Sequence, residues 1–169
     1  MHISNIITSD IVNGVGVRLS VFVSGCRNHC KGCFSEQTWD FNYGEKYTNE
    51  IHDYILKELQ KPQYDGITIL GGDPFEPENQ PDVMELLEDV KSIENRNIWM
   101  YTGYTYEYLR EHGIEGITDH ILDMIDVLVD GRFEIEKRNI LLPFKGSSNQ
   151  RLIDVQRTIS EGNIILYNV

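Results

Sequence analysis

The sequence predicts an α/β protein with a largely parallel sheet, arranged as an incomplete (β/α) barrel or an open sheet. Three observations carry that expectation. Strand-like and helix-like stretches alternate along the chain, the pattern of parallel sheets joined by helical crossovers. The 169 residues fall short of the roughly 200 that a complete eight-unit barrel needs. Finally, three segments with chemistry-bearing residues, Gly25–Phe34, Gly71–Pro74 and Thr102–Tyr104, each follow a strand directly, where such folds gather their reacting groups.

The elements are read in order. Arg18–Ser24, "RLSVFVS", alternates with Leu19, Val21 and Val23 on one face, as a half-buried strand does. Thr48 is a plausible helix N-cap, and Ile51, Tyr54, Ile55 and Leu59 follow it at helical spacing. Gly66–Leu70, "GITIL", is a short apolar strand ending on Gly71-Gly72. Val83, Leu86, Leu87 and Val90 make a second helical stripe, with Pro81 near its first turn. Asn97–Tyr101 reads as a strand, Thr105–His112 and Thr118–Ile125 as short helices, and Val127–Val129 as a buried strand. Arg151–Val155 and Asn163–Tyr167 read as two last strands. No repeat, low-complexity stretch or linker interrupts this order, so residues 1–169 are expected to form one domain.

Composition excludes some classes. About 40% hydrophobic and 25% charged residues suit a globular chain with a core. A net charge of −12 argues against a general affinity for nucleic acid, which needs cations to displace counterions from phosphates. The apolar runs are far too short to span a bilayer, and the start "MHISNIITSD" has no basic stretch followed by a long apolar one. A cytoplasmic protein is expected.

All three cysteines, Cys26, Cys30 and Cys33, lie in "GCRNHCKGCF". In a reducing compartment, clustered thiols read as metal ligands or redox groups rather than as a disulfide framework. The spacing admits reduced structural thiols, a zinc site completed by a water or a fourth ligand, or an iron–sulfur cluster. A four-iron cluster ordinarily takes four cysteines; three would leave one iron open to bind something else. His29 adjoins Cys30, but neighbouring side chains on a tight loop rarely reach one ion, and none of the histidines is needed as a ligand.

C-x3-C-x2-C directly after a strand resembles the signature of the radical S-adenosylmethionine (SAM) enzymes. That superfamily usually places an aromatic residue before the third cysteine; here Gly32 holds that position and Phe34 follows the cysteine. Asp10–Phe34, "DIVNGVGVRLSVFVSGCRNHCKGCF", is similar to the opening of the anaerobic ribonucleoside-triphosphate reductase-activating proteins, where a glycine before the third cysteine is usual. "GGDPF" (71–75), "MYTGY" (100–104), "DVLVDGRF" (126–133) and "KGSSNQRLIDV" (145–155) match that family in order and spacing.

The resemblance implies an incomplete (β/α) barrel of the radical SAM type forming a single domain. It implies that Cys26, Cys30 and Cys33 hold a 4Fe–4S cluster whose fourth iron is chelated by SAM. Gly71 and Gly72, with Asp73 orienting the loop or the amine, would bind the methionine end. Thr102 and Gly103 are further SAM candidates, and Gly32 and Phe34 would lie near the adenine. The implied activity is radical generation on a glycine of the anaerobic reductase, with a low-potential donor such as flavodoxin, under anaerobic conditions. The alternatives are another small radical SAM enzyme, such as the activator of a different glycyl radical enzyme, and a non-catalytic metal-binding accessory module. Gly14-Val15-Gly16 reads as a turn rather than a dinucleotide fingerprint, because the third glycine is missing and the segment precedes its strand. "KGSSNQR" reads as a docking loop or as part of the SAM pocket.

Overall fold

The computed structural model describes residues 1–169. Its strands are β1 (His2–Asp10), β2 (Arg18–Val23), β3 (Glu45–Lys46), β4 (Gly66–Gly71), β5 (Asn97–Tyr101), β6 (Val127–Asp130) and β7 (Arg151–Asp154). They form one seven-stranded sheet in the order β3-β1-β2-β4-β5-β6-β7. The middle, β2-β4-β5-β6, is parallel, and the flanking pairings β1/β2, β1/β3 and β6/β7 are antiparallel. The sheet is therefore mixed: the expected parallel character holds in the middle and fails at both edges.

The helices are α1 (Asn49–Leu59), α2 (Gln80–Lys91), α3 (Tyr106–His112), α4 (Thr118–Met124) and α5 (Val155–Glu161). Local chemistry sets their starts. The hydroxyl of Thr105 accepts from Tyr108 N at 3.2 Å, and the Asp154 carboxylate from Arg157 N at 3.1 Å, each satisfying a first-turn N–H that has no partner within the helix. Gly162, left-handed at φ 72°, ends α5.

Strand alternation divides the sheet into two unlike faces. Leu19, Val21, Val23, Ile67, Ile69, Ile98, Met100, Leu128 and Ile153 share a 25-residue core with the buried side chains of all five helices. The opposite parity carries Trp99, Val127, Val129 and Leu152, packed with Tyr101, Phe144 and Tyr167. This second face also holds a buried polar layer. Arg18, wholly buried, donates to Thr68 Oγ1 at 2.9 Å, Ile67 O at 2.5 Å and Asn97 Oδ1, and lies over the Trp99 ring. Helices thus cover one face, while loops and the chain end close over the other.

Some elements differ from the sequence expectation. β1 was not expected, because its polar, half-exposed run "HISNIITSD" shows little alternation. α5 begins at Val155, ending the preceding strand one residue early; with only Val155 and Thr158 buried it has no apolar stripe to read. Asn163–Tyr167 is not a strand. It makes one isolated bridge, Leu166 to Ile153, beside β7. The Gly14–Gly16 segment is a bend between β1 and β2, as expected.

Candidate metal and ligand site

The carboxyl ends of β2, β4 and β5 deliver three loops to one edge of the sheet, around a cavity of about 510 Å³. Cys26, Cys30, Cys33, Phe34, Gly71, Gly72, Thr102 and Gly103 all line it. Gly32 and Asp73 do not. Gly32 lies within the cysteine loop, where a Cβ would meet the end of the Ile135 side chain at 3.0 Å. Asp73 lies behind the cavity wall, completely buried.

The cysteine loop is shaped by its own backbone. Gly25 N donates to Thr38 O at 2.7 Å, Cys33 N to Cys30 O at 3.1 Å, and Ser35 N to the Cys33 Sγ at 3.4 Å. Cys26 is buried, and burial, reinforced by the charge of Asp73, pushes its thiol up to about 11. All three cysteines line one cavity, and no group of three or more Cys, His, Asp or Glu is placed to hold a single ion. His29 is turned aside and stacks on Trp39 with centroids 4.5 Å apart.

Asp73 joins the loops. Its carboxylate accepts from the Thr102 hydroxyl at 2.9 and 3.0 Å, from Gly103 N at 2.8 Å, from Phe75 N at 3.0 Å and from the Asn28 amide at 3.1 Å. One side chain thus fixes the cysteine loop, its own turn and the loop after β5. Glu76, also fully buried, makes a second tie. It accepts from Arg27 N at 2.7 Å, from the Arg27 guanidinium at 2.5 Å and from the Tyr104 hydroxyl at 3.2 Å.

The glycines answer to protein packing as well as to any ligand. Gly71 adopts φ +114°, and a Cβ there would sit 2.5 Å from Val23 O. At Gly72 it would meet Gly25 O at 2.5 Å, and at Gly103 the Asn28 amide at 2.4 Å from the built position. These residues let the three loops approach one another. Gly71→Ala is expected to cost about 2 kcal/mol of stability, from strained φ and the displaced end of β2; urea unfolding checks it.

"KGSSNQR" is tied down rather than loose. The Gln150 side chain donates to Gly131 O at 2.9 Å and accepts from Gly146 N at 2.9 Å, and Asn149 donates to Arg132 O at 2.8 Å. This latches the segment to "DGRF" and places Lys145, Gly146 and Gln150 on the cavity wall. Lys145 is the only charged side chain among the lining residues. Tyr101 also lines the cavity, and its buried hydroxyl has no hydrogen-bond partner. An orphaned buried hydroxyl costs free energy unless a ligand completes it. A cavity lined by three thiols, one cation and an unpartnered hydroxyl fits a metal cluster with a polar organic ligand.

Residues 12–153 match the family model described as a 4Fe-4S single cluster domain. The chain is 40% identical over 144 residues to the anaerobic ribonucleoside-triphosphate reductase-activating protein of Vibrio cholerae, covering 83% of this chain and 90% of that one. It is 38% identical, with the same coverage, to the protein so named from Escherichia coli K12. Its identity to the one from Enterobacteria phage T4 is 33% over 153 residues, covering 90% and 93%. The chain belongs to the family of anaerobic ribonucleoside-triphosphate reductase-activating proteins. A 4Fe–4S domain is present in it.

Within this family member, Glu76, Asn28 and Tyr101 are site residues that sequence reasoning did not single out, whereas Lys145 belongs to the "KGSSNQR" segment read as a docking loop or part of a pocket. Glu76 carried one signal, a carboxylate directly after the apolar turn "DPF". The others carried none, since their positions depend on how separate loops meet.

The Asp73 junction makes stability depend on pH. Burial pushes the Asp73 carboxyl up to about 7, against the pull of its donors. Its folded value lies above the unfolded one, so folding favours the protonated form. The stability this group contributes is full below about pH 4 and is lost as pH rises toward 7. The wild type's stability relative to Asp73→Asn is therefore expected to fall between those limits. Urea midpoints for both proteins across the range check this; a flat difference contradicts it.

Proposed function

We propose that this protein is a radical SAM activase that makes the glycyl radical of an anaerobic ribonucleoside-triphosphate reductase. The reading is carried by one observation: all three cysteines line a cavity with the loops after β4 and β5, in a chain belonging to this family. Residues 1–169 act as one radical SAM domain, with the two-faced sheet as an incomplete (β/α) barrel.

Cys26, Cys30 and Cys33 would hold the 4Fe–4S cluster. Held there and reduced, such a group would supply the single electron that splits SAM into methionine and a 5′-deoxyadenosyl radical, and that radical would take hydrogen from a glycine Cα. The chain's own residues position and enclose. The backbone at Gly71-Gly72 faces the cavity where the methionine end would lie, and Asp73 holds Thr102 and Gly103 in place beside it. Glu76 fixes Arg27, and with it the backbone after Cys26. Phe22, Leu70 and Phe133 give the cavity apolar walls that limit water around a reactive species. Gly32 and Phe34 flank Cys33, where the adenine would pack.

A low-potential donor such as flavodoxin supplies the electron, and the protein works in the reducing cytoplasm. No helix is long and apolar enough to cross a membrane. With a net charge of −12, no nucleic-acid partner is proposed.

The test is anaerobic incubation of reconstituted, reduced protein with SAM and the reductase, followed by EPR for the glycyl radical and assay of 5′-deoxyadenosine. Radical on this partner, and none on pyruvate formate-lyase, supports the assignment. SAM cleavage with radical only on another partner points to a different activase, and no cleavage at all points to an accessory module.

A further inference from the structure

The five most exposed large apolar side chains of the chain are Leu141 (86%), Ile140 (81%), Phe34 (75%), Ile11 (71%) and Val12 (70%). They come from three separate segments, yet all border one place. Val12, Phe34 and Leu142 line the cavity, and Ile11, Ile140 and Leu141 adjoin them in sequence. Other large apolar side chains such as Leu166 and Tyr54 are also exposed, but these five are the most exposed and they gather around the mouth of the site. Apolar patches rimmed by polar groups mark docking surfaces.

The charge at this mouth opposes that of the molecule. The chain carries −12 overall, but the segment 131–150 holds Arg132, Lys137, Arg138 and Lys145 against only Glu134 and Glu136. Both of those carboxylates are engaged, Glu134 with Lys137 at 2.7 Å and Glu136 with Lys31 at 4.0 Å. Arg132, Arg138 and Lys145 have no carboxylate partner. Arg138 lies over the Phe34 ring at 5.2 Å, so a free cation and an exposed ring sit together on the rim.

We propose that this apolar, basic rim is the docking surface for the reductase, as the Proposed function reading requires a protein substrate. Its occupant is an extended reductase segment with apolar residues on both sides of the reacting glycine and a carboxylate facing Arg138. The glycine would enter between the 11–12 and 140–142 loops, while flanking side chains cover Ile11, Ile140 and Leu141. A second copy of this chain fits poorly, because a two-fold contact would set each basic rim against its twin. An anionic membrane is disfavoured by the net charge of the whole molecule.

The experiment uses the reconstituted protein and the full-length reductase. The double variant Ile140→Asp/Leu141→Asp changes residues that do not themselves line the cavity. It is expected to bind the reductase at least about tenfold more weakly and to lose glycyl radical formation in proportion, while cleaving SAM without the partner at the wild-type rate. Ile11→Asp, in the segment between β1 and β2 that adjoins the lining residue Val12, is expected to weaken binding in the same sense. Arg138→Glu is expected to weaken it most at low salt. Variants that bind the reductase as tightly as wild type overturn the inference and leave the activase reading intact. A wild type that self-associates through this rim, with the double variant monomeric, also overturns it. A wild type that neither cleaves SAM nor binds the reductase overturns both.

Discussion

Asp73→Ala is expected to lower the free energy of unfolding by about 3–4 kcal/mol, the largest loss of any single change at the site. The side chain is completely buried and accepts from a hydroxyl, two backbone N–H groups and an amide. Alanine leaves these donors with nothing to bond in a region water reaches poorly, and each unsatisfied buried donor costs roughly 1–3 kcal/mol. Removing a carboxyl that burial already disfavours returns part of that cost, which is why the sum stays below the upper limit. For a chain of this length, such a change lowers Tm by roughly 6–16 °C. Thermal unfolding near about pH 6 checks it. The same variant should incorporate less cluster, because Asn28 of the cysteine loop loses its anchor. A variant as stable as wild type would show that the junction is not what holds the three loops together.

Cys30→Ala is expected to abolish SAM cleavage and glycyl radical formation while leaving the fold nearly unchanged. Cys30 is half-buried on the cysteine loop and its side chain belongs to neither apolar core, so truncation opens no cavity in the packing. The loop backbone is held instead by bonds from Gly25 and Cys26 and by the Arg27–Glu76 and Asn28–Asp73 ties. On the proposed function, losing one of three thiolates would remove a cluster ligand that His29, stacked on Trp39, is not placed to replace. The checks are circular dichroism, iron content and 5′-deoxyadenosine yield on one preparation. Wild-type yield from this variant would remove the cysteine loop from the chemistry.

Much of the fold was legible in the sequence because burial on one sheet face is a local, repeating signal. "RLSVFVS" and "GITIL" announce strands, and Val83, Leu86, Leu87 and Val90 a helix, because each pattern repeats over several buried residues. The β3/β1 edge was not legible, whereas β7 at the other edge was, to within one residue. β1 is half polar, α5 buries only two side chains, and the segment after Gly162 makes too little pairing to be a strand. At the site, positions directly after strands marked the three loops and the family resemblance supplied the candidate residues, eight of which line the cavity. What the sequence could not show is the wiring between loops. Asp73 was expected to orient its own loop or a ligand's amine; it does bond its own turn through Phe75 N, and it also spans to Thr102, Gly103 and Asn28, while Glu76 gave no hint of its bond to Arg27. Such contacts depend on the sheet order, which no local pattern encodes.

The most direct test of the central claim is the low-temperature EPR spectrum of anaerobically reconstituted, dithionite-reduced protein, recorded with and without SAM. The account predicts the signal of a reduced 4Fe–4S cluster whose shape changes when SAM is added. A well-formed cluster whose spectrum is indifferent to SAM would contradict it.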